Sequence, residues 1–210
     1  MKIDIWSDFA CPYCYIGEKK LEKALAELAL EDTVDIQFKS FQLNVNAVSH
    51  EGEDINRLIA DKYGIPYEQA KAANEGIVTT AKEVGLNFDF EHIKPGNTGL
   101  AHEVYKYCNS LGKGQAMADG LFAGYFEEGA NISHEDQLLR IAKDIGVDTE
   151  SVQHIMKDRS YKEAVLKDQQ LAHDMGISSV PFFIINDKYA VSGAQSVENF
   201  KLTLEKAKAL

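Results

Sequence analysis

The sequence is short of several things, and each shortage removes a class of protein. Cysteine occurs only three times in 210 residues. So low and odd a count does not make a disulfide scaffold, and any disulfide formed here is expected to be transient and chemical. Proline occurs four times, and no low-complexity tract marks an unstructured linker. Basic residues number 22 against 33 acidic ones, a net charge of −11. With no lysine or arginine run to follow a phosphate backbone, neither nucleic acid nor an anionic membrane is an expected partner. No apolar stretch approaches the roughly 20 residues of a membrane span. The opening residues, MKIDIWSDFACPYCYIG, lack the basic start, apolar run and small-residue cut site of a secretory signal. A cytoplasmic protein is expected.

What is present is an ordinary globular composition, 45% apolar and 26% charged, in which the period of the pattern changes along the chain. KIDIWSDF alternates and is rich in strand formers, so residues 2–7 read as a strand. A helix is expected from Pro12 to about Ala29. Cys14, Leu21, Leu25 and Leu28 trace one face, and Glu18, Lys19, Lys20, Glu22 and Lys23 take the other. Residues 32–43 alternate again, with Val34, Ile36 and Phe38 on one side; strand, helix, strand implies a parallel pair. NVNAVSHEGED reads as a polar linker. From about Asp54 to Gly176 every periodic segment reads as helix. Pro66 starts one that stops at Gly85, and Ser133 with Asp136 has capping-box spacing. SVPFFIIN and KYAVSG, joined at ND, read as a hairpin. Ser196 caps a last helix with an apolar face of Val197, Phe200, Leu202 and Leu204. The order predicts an α/β chain. Residues 1–43 and 160–210 form a thioredoxin-like fold, interrupted by an all-helical insertion over 44–159.

Cys11 and Cys14 stand at the first strand–helix junction, with Pro12 and Tyr13 between them. Cys11 falls at the helix N-cap, where backbone N–H groups lack intrahelical partners and the helix dipole adds about half a positive charge. Both favour the thiolate, so its pKa is expected below that of a free cysteine. Pro12 suits the first helical position, which needs no N–H. Cys14 lies one turn on, facing inward, placed to attack a mixed disulfide at Cys11. Half a zinc site is the competing reading, but zinc wants four ligands. Cys108 is far along the chain and the six histidines show no ligand spacing, so no metal is expected. Two inert thiols would leave the proline and the junction unexplained. Pro181, in SSVPFF, begins a strand, where proline interrupts no ladder. Only about 5–6% of X-Pro bonds in folded proteins are cis. In the split fold, however, this loop faces the cysteine pair, and a cis Val180–Pro181 bond would offer the Val180 N–H and C=O to an extended substrate.

Three stretches, SDFACPYCYIG, NTGLAHEVYKY and GISSVPFFIIN with the following VSGAQ, resemble the DsbA-like thioredoxin-fold oxidoreductases, specifically their FrnE-like cytosolic branch. The resemblance spans essentially the whole chain. It implies thiol–disulfide exchange with protein or low-molecular-weight thiol and disulfide substrates. Cys11 is then the attacking and Cys14 the resolving cysteine, and Pro181 the cis-proline, with Pro12, Tyr13 and Val180 at the substrate surface. No bound cofactor is implied, though glutathione is admitted as co-substrate, to a monomer or homodimer. The kappa-class glutathione transferases and 2-hydroxychromene-2-carboxylate isomerases share the inserted helical block but generally place a serine where Cys11 stands. They supply the alternative, a glutathione-dependent transferase or isomerase of a small aromatic compound. The cysteine at position 11 favours the redox reading.

Weaker signals complete the candidate site. The resemblance leans the segment of Asn97 and His102 over the cysteine pair, where His102 could tune the thiolate or relay a proton; by itself it reads equally as a packing histidine. Asp8 reads as a solvated loop acid or as a carboxylate that raises the Cys11 thiol by like-charge repulsion. Cys108 reads as a small buried hydrophobe. Tyr105, Phe122, Tyr125 and Phe126 recur at helical spacing, as core residues or as the lining of a cleft.

Overall fold

The computed structural model describes residues 1–208. Four strands, β1 (Lys2–Ser7), β2 (Asp35–Ser40), β3 (Phe182–Ile185) and β4 (Tyr189–Ser192), form a sheet in the order β2-β1-β3-β4. β1 and β2 are parallel, with Ile3 opposite Ile36 and Ile5 opposite Phe38, and α1 (Pro12–Glu27) joins them. β3 is antiparallel to both β1 and β4. The hairpin between β3 and β4 turns on Asn186 and Asp187, both left-handed at φ 51° and 54°, the backbone that asparagine and aspartate tolerate in a two-residue loop. α9 (Val197–Lys208) packs beside α1, and its Phe200 ring meets Phe183 edge-on at 4.9 Å.

The strand period of two divides the apolar side chains between the faces of the sheet. Ile3, Ile5, Phe183 and Ile185 enter the main core, whereas Trp6 and Ile184 join a smaller cluster with Ala172 and Ile177. Between β2 and β3 run α2 (Ile55–Tyr63), α3 (Tyr67–Lys82), α4 (Gly99–Ser110), α5 (Gly114–Phe126), α6 (Glu135–Asp144), α7 (Thr149–Asp158) and α8 (Lys162–Asp174). This helical block shares one apolar core with the sheet. Phe122 of α5 contacts Phe9 at 5.1 Å and stacks on Tyr15 at 5.0 Å, so the block is seated on the junction that carries the cysteines.

The outer edge of β2 is occupied by side chains. Phe38 N–H donates to the Tyr105 hydroxyl at 3.0 Å, Lys106 Nζ donates to Phe38 C=O at 3.2 Å, and Ser40 N–H donates to Asp168 Oδ2 at 2.8 Å. None of the described helices is long and apolar enough to cross a membrane.

The α/β expectation holds, with local corrections. The second strand is shorter than residues 32–43, because a 3₁₀ turn over Glu31–Thr33 precedes it. The Gly85 stop of α3 does hold: Gly85 is left-handed at φ 83°, its N–H donates to Lys82 C=O and Leu86 N–H donates to Ala81 C=O. The Ser133–Asp136 capping box does not form: His134 is the N-cap, and the Ser133 hydroxyl donates to Asn131 Oδ1. Leu202 faces solvent rather than the core, while Ser196 Oγ does accept from Asn199 N–H at 3.2 Å.

Candidate active site

The chain leaves β1 at Ser7 and enters α1 at Pro12, and the four residues between set the geometry. Cys11 N–H donates to Asp8 C=O at 2.9 Å and Cys14 N–H to Cys11 C=O at 3.0 Å, closing two successive turns. Cys11 is the N-cap, with extended backbone at φ −96° and ψ 113°. All three cysteines are free thiols. Cys11 is 5% exposed and Cys14 1%, while Tyr13 between them stands out at 47% and Pro12 is half-buried. The Cys11 sulfur is therefore almost covered, with the exposed Tyr13 two residues on.

The two thiols are pushed in opposite directions. Cys11 is held below the ordinary thiol value, first by a hydrogen bond from the Cys14 side chain and then by the Cys14 and Tyr13 backbone N–H groups; burial and the Asp8 carboxylate oppose this. Cys14 is raised well above it, chiefly by burial and then by its bond and repulsion with the Cys11 sulfur. The helix-start amides thus act as the sequence suggests, but the neighbouring thiol acts more strongly than they do.

The far end of the chain closes the site. The Val180–Pro181 peptide bond is cis, and the Cys11 thiol lies 3.8 Å from Val180 C=O as a donor. Gly17, on the same helix, admits this loop: a Cβ there would meet Pro181 Cγ at 3.1 Å and Phe183 Cζ at 3.2 Å. Its need for so small a residue was not signalled by the local pattern.

Asp8 is not the solvated acid its loop position suggests; it is 2% exposed. Its Oδ2 accepts from Leu43 N–H at 2.7 Å, satisfying a backbone donor just after β2 ends, and its Oδ1 accepts weakly from Ala10 N–H at 3.4 Å. His102, on α4, is also buried, with Nε2 3.5 Å from Asp8 Oδ1 and its ring 4.8 Å from Phe9. Nε2 has no hydrogen-bond partner among the described residues. Asn97 lies further out. Its Oδ1 accepts from Gly99 N–H at 2.8 Å and Gln42 Nε2 at 3.2 Å, and its Nδ2 donates to Val45 C=O, tying the start of α4 to the segment after β2. Cys108 is fully buried on α4, and burial pushes its thiol up to about 12. Tyr105, Phe122 and Phe126 are core residues; buried Tyr125 also lines a cavity of about 430 Å³ that opens beside Asp8 and Ala10.

A cysteine pair at the mouth of a parallel β-α-β unit, faced by a proline loop and roofed by helices, defines a thioredoxin-fold protein of the DsbA kind. The family model of the DSBA-like thioredoxin domain matches residues 2–205, and the chain belongs to that family. It is 26% identical over 203 residues to the uncharacterized protein YwbO of Bacillus subtilis (strain 168), covering 95% of this chain and 93% of that one. A probable DsbA oxidoreductase from Streptomyces coelicolor superposes with a TM-score of 0.93 at 30% identity, covering 100% of this chain and 90% of that one. The cytosolic disulfide reductase DsbM from Pseudomonas aeruginosa, solved with GSH, superposes with a TM-score of 0.69 over 100% of both chains; at 15% identity that likeness shows the fold alone.

Proposed function

We propose that this protein is a cytoplasmic thiol–disulfide oxidoreductase of the FrnE-like branch, working through Cys11 and Cys14 on protein or low-molecular-weight substrates, with glutathione as a co-substrate. The observation that carries the reading is the split between the two thiols, one held low at a helix start and the other held high a turn behind it. The Cys11 thiolate attacks a substrate disulfide, a mixed disulfide forms, and one half leaves as a thiolate. Cys14 then gives up its proton and attacks the Cys11 sulfur, the second half leaves, and the pair is oxidised while the substrate gains two electrons and two protons. Negative charge on Cys11 is one cause of the high Cys14 value; capping Cys11 in a mixed disulfide removes that charge and eases the second step. Val180 and Pro181 would hold the substrate chain, with Pro12 and Tyr13 on its other side.

Replacing Cys14 with serine tests this directly. The variant is expected to accumulate reducible covalent adducts through Cys11 in cell extract, and the Cys11→Ser, Cys14→Ser double variant none. No adduct from the single variant would remove the exchange reading. A glutathione-dependent transferase or isomerase would instead keep its activity on a small aromatic substrate after Cys11→Ser.

A further inference from the structure

We infer that the cavity beside Cys11 binds the apolar, acid-bearing body of a small organic disulfide, with Lys62 as its anion-binding residue. This rests on the exchange reading above and narrows its substrate class.

The cavity, about 430 Å³, is of ligand size. One wall is Asp8 and Ala10, the residues leading into Cys11, with Thr98 and Tyr125. The opposite wall is the segment after β2 and helix α2, and that helix is unusual. Nine residues long, it buries only Ala60. Ile55, Leu58 and Ile59 fall at i, i+3 and i+4, the stripe that a globular helix turns to its core. Here they are half-buried and line the cavity. Leu43 and Val48, at 52% and 64% exposure, extend the same apolar surface. Large apolar side chains left together at a concave surface mark a place where something binds.

This wall also carries a cation, beside Asn44, Asn46 and His50. Lys62 follows Leu58 by four residues, so it sits on the same helical stripe one turn further on. Its ammonium lies 5.3 Å from the Tyr63 ring and makes no ion pair among the described residues. Lys62 is the only lysine or arginine among the described residues that line the cavity. His50, also at the cavity, is bonded through Nδ1 to Glu53 at 2.9 Å. In a chain of net charge −11, an unpaired ammonium at the end of an apolar stripe complements one acid group on a hydrophobic body. Because the cavity borders the residue next to Cys11, that body is the part of the substrate attached to the sulfur under attack. A volume of about 430 Å³ suits a single ring or branched chain rather than an extended polypeptide.

The test uses the full reduced chain and single-turnover rates with three disulfides: 5,5′-dithiobis(2-nitrobenzoate), aromatic and anionic; 2,2′-dithiodipyridine, aromatic and neutral; and cystamine, small and cationic. Each variant's rate is divided by the parent's rate with the same probe, so leaving-group chemistry cancels. Lys62→Gln is expected to slow the nitrobenzoate probe about tenfold and the other two by no more than about twofold. Leu58→Asn should slow both aromatic probes relative to cystamine. Equal effects on all three probes, or none, overturn the assignment. So does a Lys62→Gln effect confined to a peptide disulfide carrying adjacent leucine and glutamate. Binding of the inert 2-nitrobenzoate to the Cys11→Ser, Cys14→Ser protein, weakened about tenfold by Lys62→Gln, reads the cavity without any exchange. It therefore separates failure of this site from failure of the exchange reading, and unchanged binding counts against the site.

Discussion

Cys11 and Cys108 are both buried thiols, at 5% and 0% exposure, yet their surroundings drive them apart. Cys108 sits towards the end of α4, where burial dominates and raises it to about 12, opposed only by its own backbone N–H. Cys11 sits before the first turn of α1, where the Cys14 thiol and the Cys14 and Tyr13 backbone N–H groups act on its sulfur and outweigh desolvation. The difference teaches that burial makes a cysteine inert unless donors aimed at the sulfur accompany it.

The strongest way to break this comparison is to remove each sulfur in turn. Cys11→Ser is expected to cut insulin-disulfide reduction by about a thousandfold or more, and Cys108→Ser to change it by no more than about twofold; comparable losses would end the distinction. Iodoacetamide kinetics sharpen it. Because its value is lowered, Cys11 keeps a thiolate population as the pH falls from 9 towards 7, whereas Cys108, raised to about 12, stays protonated. At pH 7 the native protein should be alkylated at Cys11 at least about a hundredfold faster than at Cys108.

Glu18 extends the comparison to a carboxyl. It lies one turn after Cys14, is fully buried with Gln115 Nε2 donating at 2.6 Å, and is pushed up to about 8 by burial, with Asp119 and Glu22 adding to the shift and Lys19 opposing it. A raised acid stabilises the fold fully below its unfolded value of 4.5 and loses that contribution as the pH climbs towards 8. Glu18→Gln should match the parent in urea unfolding at pH 4 and exceed it by a few kcal/mol, in order of magnitude, at pH 8. Equal stability at both would mean that burial is not what shifts this group. The smallest effect is expected from Asp8→Asn. It removes a carboxylate that raises Cys11, so the thiolate absorbance at 240 nm should titrate at lower pH; an upward move would mean that Asp8 acts by holding the loop rather than by charge.

The β1–α1 junction was legible because its signals are local: a switch of period from two to 3.6, a proline at the first helical position, and two cysteines one turn apart. The hairpin was legible for the same reason, in Asn186 and Asp187. The surroundings of the site were not. Asp8 looked solvated because the donor that buries it, Leu43 N–H, comes from the far end of β2. His102 stood between two readings because its place against Asp8 depends on how α4 docks, through aromatics that read as core or as cleft lining. Ser133 had the spacing of a cap, but Asn131 offered its hydroxyl a nearer acceptor. Helix α2 lay within the span read only as helical; that its apolar stripe faces a cavity is a property of what is not packed there.

The side chains along the rim of β2 carry a consequence for colloidal behaviour. A terminal strand with free N–H and C=O groups is a template on which a neighbouring molecule can extend the ladder into oligomers or fibrils. Tyr105, Lys106 and Asp168 already hold those groups at Phe38 and Ser40. Growth by strand addition is therefore directed to the short opposite margin at β4, only four residues long. Unzipping α4 from that rim, rather than any change at the thiols, is the event expected to make concentrated solutions of this protein aggregate.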